Sequence, residues 1–243
     1  MDKKNPPGRP RTPIWQAIAT ALRGDISEGR YLPGDKLPTE AELASRFGVN
    51  RHTVRRALLH LTEEGLVRTR RGAGAFVAAT PTDYPIGQRV RFHQNLLAAG
   101  RRPEKRLLQI ERRAAASGEA RVLGLSPGEE VCVYRGLSLA DGLPIAFFES
   151  LFPVTRLLGI DAALAETSGV TEALRLVGVA DYTRASTRLT AVLADAAQAL
   201  HLQLREGDPL LRSTGVNVDE EARPVEYGRT WFAGDRVTLT FEP

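Results

Sequence analysis

The chain has 243 residues, 42% of them apolar and 26% charged. That is long enough for two ordinary domains, and the balance sets aside wholesale disorder and collagen-like repeats. A single cysteine, Cys132, can neither close an intramolecular disulfide nor build a zinc site alone, so a reducing cytoplasm is expected rather than an oxidised secreted scaffold. The basic start, Met1 to Arg11, has no apolar run behind it, and no stretch of about 18 apolar residues follows, so neither a secretory signal nor a membrane span is expected.

The formal charge of +4 is unevenly shared. Residues 1–78 hold 14 Lys or Arg against 8 Asp or Glu, a balance of +6, while the remainder holds 19 against 21, a balance of −2. Clustered positive charge points to a polyanion, because each phosphate neutralised releases a condensed counterion. Charge alone leaves open a merely soluble basic surface.

Thr12-Pro13 reads as a helix start, with Pro13 at the first helical position, and Trp15, Ile18, Leu22 and Ile26 repeat at helical spacing up to a stop near Gly29. Thr39 and Glu42 have the spacing of a capping box, opening a short second helix with Leu43, Ala44 and Phe47 on its apolar stripe. After the break at Gly48-Val49, Asn50 caps a third helix whose inner face is Val54, Ala57, Leu58 and Leu61. Two helices joined by a glycine-bearing turn form a helix-turn-helix pattern.

The outer face of the third helix carries Arg51, His52, Arg55 and Arg56 in its first half. A recognition helix presents side chains to base edges there, and the paired donors of Arg match guanine O6 and N7. Cations at a helix N-terminus oppose its dipole, a conflict that a phosphate-rich partner removes. Leu66 to Val77 then alternates as two short strands around a glycine-bearing turn, a wing with Arg68, Arg70, Arg71, Gly72 and Gly74. Gly72-x-Gly74 joins strands and opens no helix, so the dinucleotide fingerprint fails in context.

Leu37-Pro38-Thr39-Glu40-x-Glu42-Leu43-Ala44, Phe47-Gly48-Val49-Asn50-Arg51-x-Thr53-Val54-Arg55 and Gly72-x-Gly74-x-Phe76-Val77 together resemble the DNA-binding domain of the GntR family of bacterial transcription regulators. The resemblance implies contacts to operator DNA from Glu40, Asn50, Arg51, His52, Thr53, Arg55, Arg56, Arg70, Arg71, Gly72 and Gly74. One departure is Ala41, where many members have arginine.

Residues 79–86, with Pro81 and Pro85 and no periodicity, read as an interdomain linker after a DNA-binding domain of residues 1–78. Beyond it the pattern predicts a helix over 88–99, a strand over 106–114, a helix over 117–125, and a hairpin of 131–139 with 144–152. Helical segments follow within 154–177, then a strand over 182–192, a helix over 194–200, a hairpin of 210–218 with 225–232, and a last strand over 237–241. Mostly antiparallel strands with helices off one side make the second domain, residues 87–243, α+β. At an offset of 79 residues, Leu123, Leu125, Gly128, Glu129 and Val131 echo Leu202, Leu204, Gly207, Asp208 and Leu210. At an offset of 80, Pro144 and Phe152 echo Pro224 and Phe232, so two similar units are expected to share one sheet, with a pocket where they meet.

This order of elements resembles the UTRA effector domain, of chorismate lyase-like fold, that marks the HutC branch of the GntR family. Within that branch, Asp83-Tyr84-Pro85, Arg91-Phe92-x-Gln94-Asn95-Leu96-Leu97 and Glu226-Tyr227 are similar to regulators of phosphonate metabolism. The resemblance implies an anion site of Arg135, Ser168 and Arg184, with Glu226 gripping ligand hydroxyl or amino groups and Arg91 adding positive charge. Arginine forks suit phosphate or phosphonate oxygens. Each of these arginines has a plainer reading as a strand residue paired with a carboxylate.

Three classes stay open on these residues: a ligand-responsive regulator, an architectural DNA binder without a ligand, and an enzyme tethered to DNA, since fold does not fix function. His93 and His201 lack partners in a catalytic spacing, and no metal motif occurs, so neither catalytic residues nor a cofactor is expected. The reading favoured is a homodimeric repressor of phosphonate or phosphate-related genes, binding double-stranded operator DNA and a small anionic effector and having no membrane partner. The alternative is a HutC-type regulator of sugar phosphate or amino acid catabolism.

Overall fold

The computed structural model of the chain describes residues 13–70, 72, 74–78, 81–87, 92–167 and 169–241. The chain divides into two compact units, residues 1–80 and 81–243.

In the first unit α1 spans Ile14–Ser27, α2 Glu40–Phe47 and α3 Arg51–Glu63, followed by the antiparallel pair β1 (Val67–Arg70) and β2 (Gly74–Val77). Pro13 itself takes the N-cap position of α1, where its carbonyl accepts from Gln16 and Ala17; Thr12, expected to cap, lies outside the described residues. The other two starts follow the capping chemistry. Thr39 and Glu42 close a capping box on α2, and the Asn50 side chain accepts from the Thr53 amide. Gly48 turns α2 into α3 in the left-handed conformation, φ 63°, which only glycine adopts without strain. Leu22, Leu43, Val54, Leu61 and Val67 fuse the three helices and the wing into one core, each buried side chain contributing about 1.5–3 kcal/mol.

The second unit begins with β3 (Thr82–Pro85) and α4 (Phe92–Ala98), then runs β4 (Pro103–Ala114), α5 (Ser117–Leu123), β5 (Glu130–Ala140) and β6 (Leu143–Pro153). It continues with α6 (Ile160–Glu166), α7 (Val170–Leu176), β7 (Thr183–Leu193), α8 (Ala196–Leu202), β8 (Pro209–Val218), β9 (Pro224–Ala233) and β10 (Val237–Thr240). Six strands form one antiparallel sheet in the order β4-β5-β6-β9-β8-β7. The β5–β6 hairpin turns at Asp141-Gly142, whose φ values of 51° and 79° are those a two-residue primed turn demands.

That strand order is the internal repeat made visible: β4-α5-β5-β6 and β7-α8-β8-β9 meet at the β6–β9 pairing. The two halves share register at several positions around this seam. Lys105 pairs with Ser138 as Arg184 pairs with Asn217, and Ser150 pairs with Gly228 as Phe148 pairs with Thr230. A pseudo-twofold axis therefore passes between β6 and β9.

Two sequence expectations are corrected. Residues 82–85, read as linker, form β3, which pairs in parallel with β10 and alternates buried Thr82 and Tyr84 with exposed Asp83 and Pro85. The alternation is too short to stand out between two prolines. Helices also cover both faces of the sheet and not one: Cys132, Tyr134, Phe148 and Phe152 pack with residues of α6 and α7, while Val131, Val133 and Leu151 pack with α5, and Leu137 and Leu139 with α8. Strand alternation sends neighbouring residues to opposite faces, and both sets are apolar.

Candidate nucleic-acid interface and effector cavity

Arg51, His52, Arg55 and Arg56 are all exposed on the first two turns of α3, and Thr53 and Asn50 are tied together by a 2.9 Å bond between the Thr53 hydroxyl and Asn50 Oδ1. Arg55 donates from Nε and Nη2 to the two carboxylate oxygens of Glu40, at 2.9 and 2.7 Å, across the helix-turn-helix. The hydrogen bond from Arg55 holds the Glu40 carboxyl below its ordinary value, with Arg51 and His52 acting in the same direction. Arg56 differs from its neighbours: its guanidinium lies 4.7 Å from the centre of the Trp15 ring, so it braces α3 against α1.

In the wing, Gly72 and Gly74 have φ values of 77° and 106°, and a Cβ on Gly74 would press to 3.2 Å from the Lys36 side chain. Arg71 and the Arg70 side chain, both expected to contact DNA, lie outside what is described.

The second unit holds a cavity of about 270 Å³, a size suited to a small molecule. It lies on the α6–α7 face of the sheet, and both halves of the repeat contribute to it. Of the expected effector residues it brings together Arg184 and Glu226. Glu226 is 8% exposed, and its two oxygens accept from Ser150 Oγ at 2.6 Å and Asn217 Nδ2 at 2.5 Å, a fixed carboxylate at the cavity wall. Arg184 Nε is buried without a hydrogen-bond partner among the described residues.

A β-bulge between Arg184 and Ser186 lets Arg184 and Thr187 line the same side. The Arg184 guanidinium then lies over Gly215: a Cβ there would overlap it and stand 2.9 Å from the Ser186 carbonyl.

Arg135 is not in the cavity. It is on the opposite face, donating from Nε to Glu149 at 2.7 Å and from Nη1 to Gln109 and Glu111 at 2.8 and 3.1 Å. Arg229 and Arg113 extend this network through Glu149 and Glu119, so opposite charges satisfy each other between α5 and α8. Arg91 and Ser168 lie outside the described residues.

The cavity also uses residues the sequence reading did not single out as ligands: Tyr84 of β3, Gln94 of α4, Lys105 of β4, Thr171 of α7 and Tyr182. Thr171 and Tyr182 share a 2.8 Å hydroxyl contact. Burial holds the Lys105 ammonium below the ordinary lysine value, against the opposing pull of Glu226. Among the described residues, no three His, Cys, Asp or Glu side chains gather in a group that could hold a metal ion, and no helix is long and apolar enough to cross a membrane.

The sequence matches the bacterial regulatory proteins of the gntR family over residues 15–77 and the UTRA domain over residues 98–238. It is 40% identical over 231 residues to the uncharacterized HTH-type transcriptional regulator RB1450 of Rhizobium meliloti, covering 94% of each chain. The chain belongs to the GntR family. This GntR-family regulator is of the HutC type, with a UTRA domain, and is 34% identical to the probable transcriptional regulator PhnF of Escherichia coli over 94% of each chain. The crystal structure of PhnF from Mycobacterium smegmatis superposes with a TM-score of 0.65 at 26% identity, over 95% of this chain and 98% of that one. GntR-family regulators bind operator DNA, and UTRA domains bind small-molecule effectors. These relatives are named as transcriptional regulators, which decides against the tethered enzyme.

Proposed function

We propose that this GntR-family regulator is a cytoplasmic homodimeric repressor of phosphonate or phosphate-related genes, released from its operator by a small anionic effector. Residues 1–78 read the DNA: Arg51, His52 and Arg55 of α3 enter the major groove, Asn50 and Thr53 approach the backbone, and the Gly72–Gly74 wing with Arg70 and Arg71 reaches phosphate or the minor groove. Glu40 acts through Arg55, and Arg56 holds α3 in place against Trp15. Residues 87–243, together with β3, bind the effector and pair the subunits.

The observation that carries the effector reading is the cavity in which Arg184 and Glu226 meet, one cation with an uncommitted Nε and one fixed carboxylate. A guanidinium suits the oxygens of a phosphonate or phosphate, while Glu226 accepts from a hydroxyl or amino group on the same ligand. Similarity to two proteins named PhnF supports the phosphonate assignment. Two-fold pairing places successive recognition helices roughly 34 Å apart, one DNA turn.

The test is fluorescence anisotropy on DNA from upstream of the protein's own gene, at fixed salt, with methylphosphonate, phosphate and glucosamine 6-phosphate added in turn. Sequence-dependent binding weakened by one of these anions is expected. Specific binding unmoved by all three would favour an architectural DNA binder.

A further inference from the structure

We propose that Lys105 is a second anion-binding side chain of the cavity, the pseudo-twofold counterpart of Arg184, and that it selects a doubly ionised phosphonate or phosphate group over a singly charged one. The proposal rests on the reading of this cavity as the effector site.

Lys105 stands opposite Ser138 on β5, and Arg184 stands opposite Asn217 on β8, each pair shifted from the other by 79 residues. The sheet's symmetry therefore brings one cation from each edge strand, and all four of these residues line the same cavity. The repeat continues beneath them. Gly136 and Gly215, again 79 apart, each leave room for a bulky cavity side chain: a Cβ on Gly136 would come within 2.6 Å of the Phe148 ring, and one on Gly215 would strike the Arg184 guanidinium. The Lys105 ammonium lies 5.4 Å from the centre of that Phe148 ring and 4.0 Å from where a Gly169 Cβ would stand. Lysine is thus laid against the start of α7, facing the same space as Arg184 from the other half.

Glu226 breaks the symmetry, since the equivalent place 80 residues earlier is Ala146. Its two oxygens already accept from Ser150 and Asn217, so its position does not depend on Lys105. The two cations share the cavity with two carboxylates, Glu226 and Glu172, and a dianion placed between Arg184 and Lys105 gains a charge-assisted contact from each. A monoanion gains about half of this.

The experiment is calorimetric titration of the full chain with two pairs of ligands alike in shape and differing in charge: methylphosphonate against methanesulfonate, and glucosamine 6-phosphate against glucosamine 6-sulfate, above neutral pH. The wild-type protein is expected to bind at least one phosphorus ligand and to prefer it to its sulfur analogue. Lys105→Met is expected to weaken that ligand by roughly 10- to 100-fold and to erase the preference. Lys105→Arg is expected to keep the preference, and operator binding without ligand is expected to be unchanged in both. A Lys105→Met protein that retains the preference, or that loses both members of a pair equally while unfolding at lower temperature, would overturn the role assigned to Lys105. Wild-type protein that binds neither phosphorus ligand would overturn the effector reading itself, and this inference with it.

Discussion

Arg55 reaches back from α3 to grip both oxygens of Glu40, the first residue of α2, with two parallel hydrogen bonds of 2.9 and 2.7 Å. The Arg55 side chain stays 57% exposed, so Glu40 fixes where the guanidinium points while its Nη1 end stays outside the pair. Glu40→Gln removes that guide and also one negative charge from the DNA-facing surface. Affinity for cognate operator is expected to fall while affinity for random DNA rises, because the first depends on aim and the second on net charge. Parallel titrations on the two DNAs decide it; an equal rise on both would mean that Glu40 only repels phosphate.

Arg55→Ala and Arg51→Ala are each expected to cost about 1–3 kcal/mol at the operator if the arginine reads a base. Equal losses on cognate and random DNA would make them phosphate contacts. Arg56→Ala is expected to act on stability, because it removes a cation stacked on Trp15 at an exposed site, worth about 0.5–1 kcal/mol. Thermal unfolding separates the two kinds of effect.

Gly215→Ala adds one methyl group where the Arg184 guanidinium lies. The expected outcome matches that of Arg184→Ala: operator binding close to wild type, and the anion response lost. The check is anisotropy with and without the active anion, and a retained response in Arg184→Ala would remove that residue from the site.

Glu119 is a buried carboxylate at the start of α5 that accepts from Arg113 at 2.7 and 2.9 Å and from the Ala116 amide at 3.0 Å. The Arg113 hydrogen bonds are the largest cause holding its carboxyl below the ordinary value. A folded-state value below the unfolded one means stability that is fully present above the ordinary carboxylate range and lost as pH falls through the folded value. Glu119→Gln is expected to cost about 2 kcal/mol at neutral pH, less than for a fully buried pair because Arg113 is partly exposed. The gap to wild type should narrow below about pH 4, as read by denaturant unfolding. A gap independent of pH would assign the loss to shape alone.

The first unit was legible because its helices announce themselves locally: Thr39 with Glu42, and Asn50 with Thr53, are short-range chemistry that survives in the structure. The effector residues were harder, since a strand residue's face depends on register. Arg135 was expected in the pocket, yet it points to the far side with Glu149, on the face of Val133 and Leu137, and because both faces of β5 are apolar the sequence does not show which one meets the cavity. Arg184 reaches the cavity because a bulge re-aims it and Gly215 makes room, neither of which composition reveals. Lys105 carried a readable signal: the repeat's offset of 79, applied to Arg184, lands on it. Tyr84 was masked by its flanking prolines, and only pairing with β10 discloses the strand that carries it to the cavity wall.

The central claim is that cavity and operator are coupled, and coupling free energy is reciprocal. The most direct measurement is calorimetric titration of the anion that binds, first into free protein and then into the protein–operator complex at the same salt. Weaker anion binding is expected in the complex, by the same factor by which the anion weakens operator binding. Equal anion affinity in the two states would contradict the claim.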